Sequence, residues 1–246
     1  MRSRPLVLLA STALLAAPVA VLASPAQAAE CTSPQVLLTE THPNPVVIGT
    51  TATKNLDVFA DIQTNGCTVK GVDAKVVSPT GGSGTFSLEQ YDSDATTSYY
   101  GNRLLIDPQQ DLYNADAGTW KATVTTTWDG PAITTSTPVK VLRASRLSTN
   151  AAPEPVRKGA TITITGALTR ANWETGKYTG YTSRTVQLQF RTPGGSYAGV
   201  KTVTSGSGGA LKTTVTAAKD GCFRYVFPGS STTAKVTSVG DCVDVT

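Results

Sequence analysis

The feature that most constrains the fold is a period-two pattern of apolar residues in several short segments. It runs from Asn55 to Ile62, from Thr161 to Ile164 and from Thr185 to Phe190. Successive side chains of a β-strand point to opposite faces of its sheet, so each segment would bury one face. The chain is also rich in Thr, Val, Gly and Ser, and no long segment has apolar residues at helical spacing. The sequence therefore predicts an all-β fold.

Turn-forming residues separate these segments at the spacing that is typical of β-sandwich strands. The clearest turns lie at residues 79–82, 193–195 and 206–209. A boundary is indicated where the last strand-like segment of the first half, which ends at Val141, gives way to a short polar linker. We therefore expect two β-sandwich domains. Their predicted ranges are 29–143 and 144–246.

The first 28 residues have the features of a secretion signal peptide. Two early arginines precede an apolar run from Leu6 to Leu22, and Ala26-Gln27-Ala28 forms a small-residue cleavage site. We expect cleavage before Ala29 and a secreted, extracellular product. No later segment is apolar over a length that spans a bilayer, so we expect no stable membrane insertion after processing.

The chain has four cysteines, Cys31, Cys67, Cys222 and Cys242. An even count in an oxidising compartment predicts disulfide bonds, and the lack of C-x-x-C spacing argues against zinc or redox chemistry. Of the three possible connectivities we favour Cys31–Cys67 and Cys222–Cys242, because the others would tie two domains together. Loop closure makes each bridge worth about 3 to 4 kcal/mol.

The second cysteine pair also predicts a hairpin. If Cys222 and Cys242 are directly opposed, the centre of the hairpin lies at Thr232, within a stretch of turn-forming residues. Alternation then places Arg224 and Cys222 on the outer face, and the disulfide becomes a cross-strand link at the surface. The core face of this strand would carry three aromatic side chains: Phe223, Tyr225 and Phe227.

Formal charge separates along the predicted boundary. Residues 29–143 contain seven Lys and Arg against twelve Asp and Glu, a net of −5, whereas residues 144–246 contain twelve against five, a net of +7. The basic half could bind an anionic cell-wall polymer or polysaccharide, or another protein, including the acidic half of a second molecule. Ordinary solvated faces are the alternative. Nucleic acid is disfavoured as a partner by secretion and by the lack of a known reading motif.

Two resemblances bear on the fold. The stretch from Asp116 to Ala122 resembles the D-x-G-x-Y-x-C corner of immunoglobulin-like domains, with Trp120 in place of the tyrosine and Ala122 in place of the core cysteine. The second half resembles the C-terminal immunoglobulin-like domain of small secreted actinomycete proteins at residues 150–159, 168–173, 188–191 and 240–245. The resemblance implies two immunoglobulin-like β-sandwich domains in tandem. Members of that group are sometimes labelled calcium-binding.

Catalytic chemistry finds little support in the sequence. A hydrolytic triad usually needs a histidine base, and the single histidine, His42, lies in a proline-flanked segment. We therefore expect no enzyme activity, and a hydrolase inhibitor or small hydrolase is a weak alternative.

Calcium is the one cofactor that we consider. The acidic half contains Asp107, Asp111 and Asp116, and calcium requires six or more oxygen ligands, so carboxylates that lie close together are a minimum requirement. The alternative is that these aspartates cap turns.

The last candidates are aromatic. Trp173, Tyr178 and Tyr181 lie in a polar, glycine-containing stretch without strand alternation, where exposed rings could stack on sugar faces or anchor a protein. The alternative is that the rings fold back and close the end of the sandwich. The leading hypothesis is a secreted, non-catalytic binding or structural protein that is associated with the bacterial cell wall or its surface polymers.

Overall fold

The computed structural model describes residues 30–246. The expected signal peptide and its cleavage before Ala29 lie outside the described residues. Within them the chain is almost entirely β, with two single-turn 3-10 helices at Asn114–Asp116 and Ser207–Gly209. No helix in this part of the chain is long and apolar enough to cross a membrane.

Eight strands form the first sandwich: β1 (Gln35–His42), β2 (Val46–Ile48), β3 (Lys54–Gln63), β4 (Gly71–Val77), β5 (Ser83–Ser93), β6 (Thr97–Ile106), β7 (Gly118–Thr127) and β8 (Ile133–Arg143). Their order is β1-β3-β6-β5-β4-β7-β8-β2. Strand β5 belongs to both layers, because it pairs with β4 up to Leu88 and with β6 from Glu89 onward. Strand β2 runs parallel to β8, and the other pairs are antiparallel.

Alternation in the sequence explains the core of this sandwich. In β3 every second residue is fully buried while Asp57, Phe59 and Asp61 point outward. At the start of β7, Trp120 Nε1 donates a hydrogen bond to Asp116 O at 2.7 Å, which is the contact that a corner tyrosine makes in immunoglobulin-like domains. Ala122 is fully buried behind it.

Ten strands form the second sandwich: β9 (Ser145–Leu147), β10 (Asn150–Ala152), β11 (Thr161–Asn172), β12 (Lys177–Gly180), β13 (Thr185–Arg191), β14 (Ala198–Thr204), β15 (Ala210–Thr216), β16 (Gly221–Phe227), β17 (Val236–Thr237) and β18 (Asp241–Val243). In one layer β11 pairs with β10 and β15 along its first half and with β9 and β12 along its second. In the other layer the order is β14-β13-β16-β17, and β18 also pairs with β16. The predicted fold class, all-β with tandem immunoglobulin-like sandwiches, is confirmed.

Both predicted disulfides are present. Cys222 and Cys242 are directly opposed in β16 and β18, with a Cα separation of 3.8 Å. The three aromatic residues of β16 are buried in the core and Cys242 is exposed, as the hairpin prediction requires, but Cys222 is only 8% exposed, so the predicted surface position holds for one end of the disulfide. Cys31 and Cys67, with a Cα separation of 4.4 Å, fix the N-terminal segment, where Asn65 Nδ2 also donates to Ser33 O.

A tryptophan from the second sandwich completes the core of the first. Trp173, directly after β11, is 1% exposed and packs within the hydrophobic cluster of the first sandwich. Its indole Nε1 donates to Ile48 O at 3.4 Å, and its backbone N–H donates to Asn114 Oδ1 at 3.1 Å. The buried Arg143 Nε donates to Ala171 O beside it. The end of β11 therefore closes the first sandwich and joins it to the second.

We predict that Trp173→Ala lowers the free energy of unfolding by about 3 to 5 kcal/mol, because it leaves a large cavity in the core. The loss should appear in the first sandwich, with faster hydrogen exchange of the Val46–Ile48 amides. Urea unfolding and exchange mass spectrometry measure both effects. Trp128→Ala is the control, since Trp128 is only half-buried and lies outside both cores. Equal effects of the two changes would contradict this role of Trp173.

Candidate functional site

The structure corrects two of the three aromatic candidates. Trp173 is buried in the core of the first sandwich, and Tyr181 is 4% exposed, so neither ring presents a face to a ligand. The ring of Tyr181 packs edge-on against Phe227 and lies 4.0 and 4.5 Å from the guanidinium carbons of Arg170 and Arg184. The alternative, that rings fold back to close the sandwich, describes both residues.

The surroundings of Tyr181 also shift the pKa of its hydroxyl. Burial alone would raise the pKa of Tyr181, but hydrogen bonds to Ser230 and Thr233 and the charges of Arg170 and Arg184 lower it below the usual value. The nearby Arg143 has a pKa lowered to about 10 by burial and by the charge of Arg170, so it stays protonated at neutral pH. This group of arginines is part of the structural junction.

Tyr178 has a different position, because it lines an open depression between the two sandwiches. The depression has a volume of about 330 Å³, and its lining includes Gly49, Thr50, Thr51, Lys54, Arg146 and Tyr178. The guanidinium carbon of Arg146 lies 3.6 Å from the centre of the Tyr178 ring. No carboxylate belongs to this lining, so two cations face the space without a counter-charge.

The Tyr178 hydroxyl lies close to the chain that follows β2. A Cβ atom at residue 49 would be 3.4 Å from this hydroxyl, an ordinary van der Waals distance. Thr50 and Thr51 bring two hydroxyl groups to the same rim. The depression therefore combines two cations, two hydroxyl groups and a tyrosine ring on which a guanidinium is already stacked. These groups suit an anionic, hydroxyl-rich ligand such as a phosphorylated or acidic sugar.

The three acidic candidates do not share a site. Asp116 is buried, and it accepts hydrogen bonds from Ser78 Oγ at 2.7 Å, from Thr80 Oγ1 and from Tyr113 N at 2.7 Å. The other two cap a turn: Asp111 accepts from Asp107 N, and Asp107 accepts from Gln109 N. Across residues 30–246 no three acidic, His or Cys side chains are grouped as metal ligands. The expectation that these three aspartates form one calcium site is therefore wrong. Calcium binding elsewhere stays a prediction.

Phe59 and Tyr197 were not recognised in the sequence as candidate residues. Phe59 is half-buried and packs against the exposed Tyr91 on the first sandwich, and Tyr197 lies beside two arginines on the second. The alternation in β3 does indicate that Phe59 faces outward, in register with Asp57 and Asp61. Tyr197 lies before β14, where no periodicity predicts its orientation.

Comparison with known proteins gives weak similarities only. No protein-family model and no curated protein matches this chain. Among solved structures, a DUF4785 family protein from Legionella pneumophila aligns with a TM-score of 0.38 and 14% identity, over 84% of this chain and 56% of that one. This chain thus spans little more than half of the Legionella protein.

Two further structures align in the same range. FdeC, an Escherichia coli adhesin, has a TM-score of 0.35 and 15% identity, over 87% of this chain and 64% of that one. A segment of two fibronectin type-III domains from chicken tenascin has a TM-score of 0.37 and 12% identity, over 84% and 96%. No activity or partner is transferred from these structures. By its own strand arrangement, the chain is a tandem immunoglobulin-like β-sandwich protein.

We predict that Asp116→Asn destabilises the protein by about 1 to 3 kcal/mol, because one amide oxygen cannot accept the three hydrogen bonds that the carboxylate accepts. Burial alone would raise the pKa of Asp116, but the bonds from Thr80, Ser78 and the Tyr113 amide lower it below its ordinary value of 3.8. Its contribution is therefore complete above pH 3.8 and is lost as the pH falls through the lower folded pKa.

Urea unfolding at several pH values measures this difference. The gap between wild type and Asp116→Asn should be constant near neutral pH and should shrink in strong acid. Asp244→Asn is the matched control, because that side chain is exposed. A gap that is independent of pH down to about pH 2 would contradict the role of the Asp116 carboxylate.

Proposed function

We propose that this protein is an extracellular, non-catalytic binding protein that attaches to anionic polymer of the bacterial cell wall. The observation that carries the proposal is the junction depression, in which Lys54 and Arg146 stand beside Tyr178 without a carboxylate. The two disulfides support an oxidising, extracellular compartment. The predicted signal peptide agrees with that location.

The charge distribution supports an anionic ligand. Both salt bridges among the described residues lie in the first sandwich, between Lys70 and Asp129 and between Arg103 and Asp57. Within residues 144–246 no Lys or Arg is within salt-bridge distance of a carboxylate. The positive charge of that half therefore acts outward and attracts polyanions before contact.

The arrangement at the depression also favours binding over simple attraction. A guanidinium that stacks on a tyrosine ring is already oriented, so less side-chain entropy is lost when it binds a phosphate or carboxylate. Lys54 comes from the first sandwich and Arg146 from the second, so the ligand would contact both halves. Binding of this kind depends on charge and is weakened by salt.

We predict that wild-type protein is retained by purified bacterial cell wall at about 0.05 M salt and released at about 0.5 M salt. Wall from which the anionic polymer has been extracted should retain much less. The double variant Lys54→Ala/Arg146→Ala should bind roughly tenfold more weakly or worse, which corresponds to the loss of at least 1.4 kcal/mol.

The control variant is Arg157→Ala/Lys219→Ala, which removes the same number of positive charges from exposed positions near the first residue of β11. It should bind almost as well as wild type. Equal losses in both variants would show that net charge alone causes retention and would reject the depression as the site. Absence of retention of the wild type at any salt concentration would reject attachment to the wall.

A further inference from the structure

The first sandwich has an exposed aromatic surface on the outer side of β1, β3, β6 and the end of β5. The rings of Phe59 and Tyr91 lie 6.2 Å apart, edge to face, and those of Tyr91 and Tyr99 lie 6.4 Å apart. Tyr91 is 61% exposed. Phe59 lies across Gly101, where a Cβ atom would come within 2.6 Å of its ring, so the absence of a side chain at Gly101 leaves room for the Phe59 ring.

Carboxylates surround this surface. Strand register places Glu40 opposite Phe59 and Asp61 opposite Tyr99, and Asp92 is also paired with Tyr99. Burial raises the pKa of Tyr91, as do the charges of Asp61, Asp92 and Glu40, so these carboxylates act on the same ring. The nearby Arg103 is already paired with Asp57 at 2.7 Å. We call this surface the acidic aromatic face; it comprises Glu40, Phe59, Asp61, Tyr91, Asp92 and Tyr99.

The second sandwich has a complementary surface on the outer side of β13 and β16. The ring of Tyr197 lies 3.8 Å from the guanidinium carbon of Arg224 and 5.0 Å from that of Arg191. Arg224 Nε donates to Gln189 Oε1, whereas Arg191 Nε is buried without a hydrogen-bond partner in the described part of the chain. Neither guanidinium forms a salt bridge. We call this surface the arginine face; it comprises Gln189, Arg191, Tyr197 and Arg224.

We propose that the acidic aromatic face of one copy of this chain binds the arginine face of a second copy. Guanidinium groups bind both to carboxylates and to the faces of aromatic rings, and the first face offers both kinds of partner. Apart from Tyr197, which directly precedes β14, the members of both surfaces are side chains on paired strands. A net charge of −5 in one half and +7 in the other steers the same encounter.

The contact is heterologous, because it joins two different surfaces. In a dimer, one copy keeps a free acidic aromatic face and the other keeps a free arginine face, so association continues into a chain or closes into a ring. Neither face includes Lys54, Arg146 or Tyr178. Self-association is therefore independent of polymer binding at the junction depression.

Two variants with one disabled face each test the proposal. Asp61→Asn/Tyr91→Ala disables the acidic aromatic face, and Arg191→Gln/Arg224→Gln disables the arginine face. In sedimentation velocity at low salt, the wild type should increase in mass with concentration beyond a dimer and should dissociate in high salt. Each variant alone should associate roughly thirtyfold more weakly, the effect of losing a hot-spot side chain.

The equimolar mixture of the two variants is the decisive measurement. One variant supplies an intact arginine face and the other an intact acidic aromatic face, so the mixture should form a dimer and nothing larger. Formation of that dimer also shows that both variants are folded. Lys54→Ala/Arg146→Ala should associate like the wild type, and Arg191→Gln/Arg224→Gln should still bind cell wall, which separates this proposal from the proposed function.

Three outcomes would overturn the proposal. One is a wild-type chain that stays monomeric up to about 1 mM at low salt. That result would overturn the proposal even if the acidic aromatic face bound a basic peptide or the arginine face bound a polyanion. Another is a variant that associates alone as strongly as the wild type. The third is a mixture that grows beyond a dimer, since it would show that a different surface forms the contact.

Discussion

The insertion of Trp173 into the first sandwich is the interaction on which the rest of the structure depends. A buried tryptophan removes about 150 to 250 Å² from water, worth an upper value of about 4 to 6 kcal/mol. That burial holds the end of β11 against the first core and brings Ala171 O to the buried guanidinium of Arg143. The same contact ties Ile48 to the end of β11, and the next residue, Gly49, lines the junction depression together with Tyr178.

The parts of the structure that local pattern determines were predictable. Alternation predicts the buried residues of β3, and the symmetric position of Cys222 and Cys242 about a turn predicts their direct pairing. The sequence could not predict which aromatic side chain near the end of β11 is buried, because Trp173 and Tyr178 have similar local surroundings. What separates them is a long-range contact: the indole of Trp173 reaches Ile48 O, 125 positions away in the sequence. A polar loop carries no signal for such a contact.

Asp116 shows the same limit for charged residues. Three aspartates within ten positions could bind a metal, yet a carboxylate is also a good acceptor for backbone and hydroxyl donors. Asp116 is surrounded by three such donors, one of them from its own turn and two from the loop after β4. Only the position of Ser78 and Thr80, which depends on strand pairing, determines that the carboxylate serves the fold.

The second sandwich orders its arginines with tyrosine rings in place of carboxylates. All five guanidinium–ring contacts among the described residues lie within 144–246, where no salt bridge is found. An exposed stack of this kind is worth about 0.5 to 1 kcal/mol, and an exposed ion pair about 0 to 1 kcal/mol, so stability is similar in either arrangement. The difference is electrostatic. A carboxylate would neutralise the arginine that it holds, whereas a ring orients the guanidinium and leaves its charge available to an anionic partner.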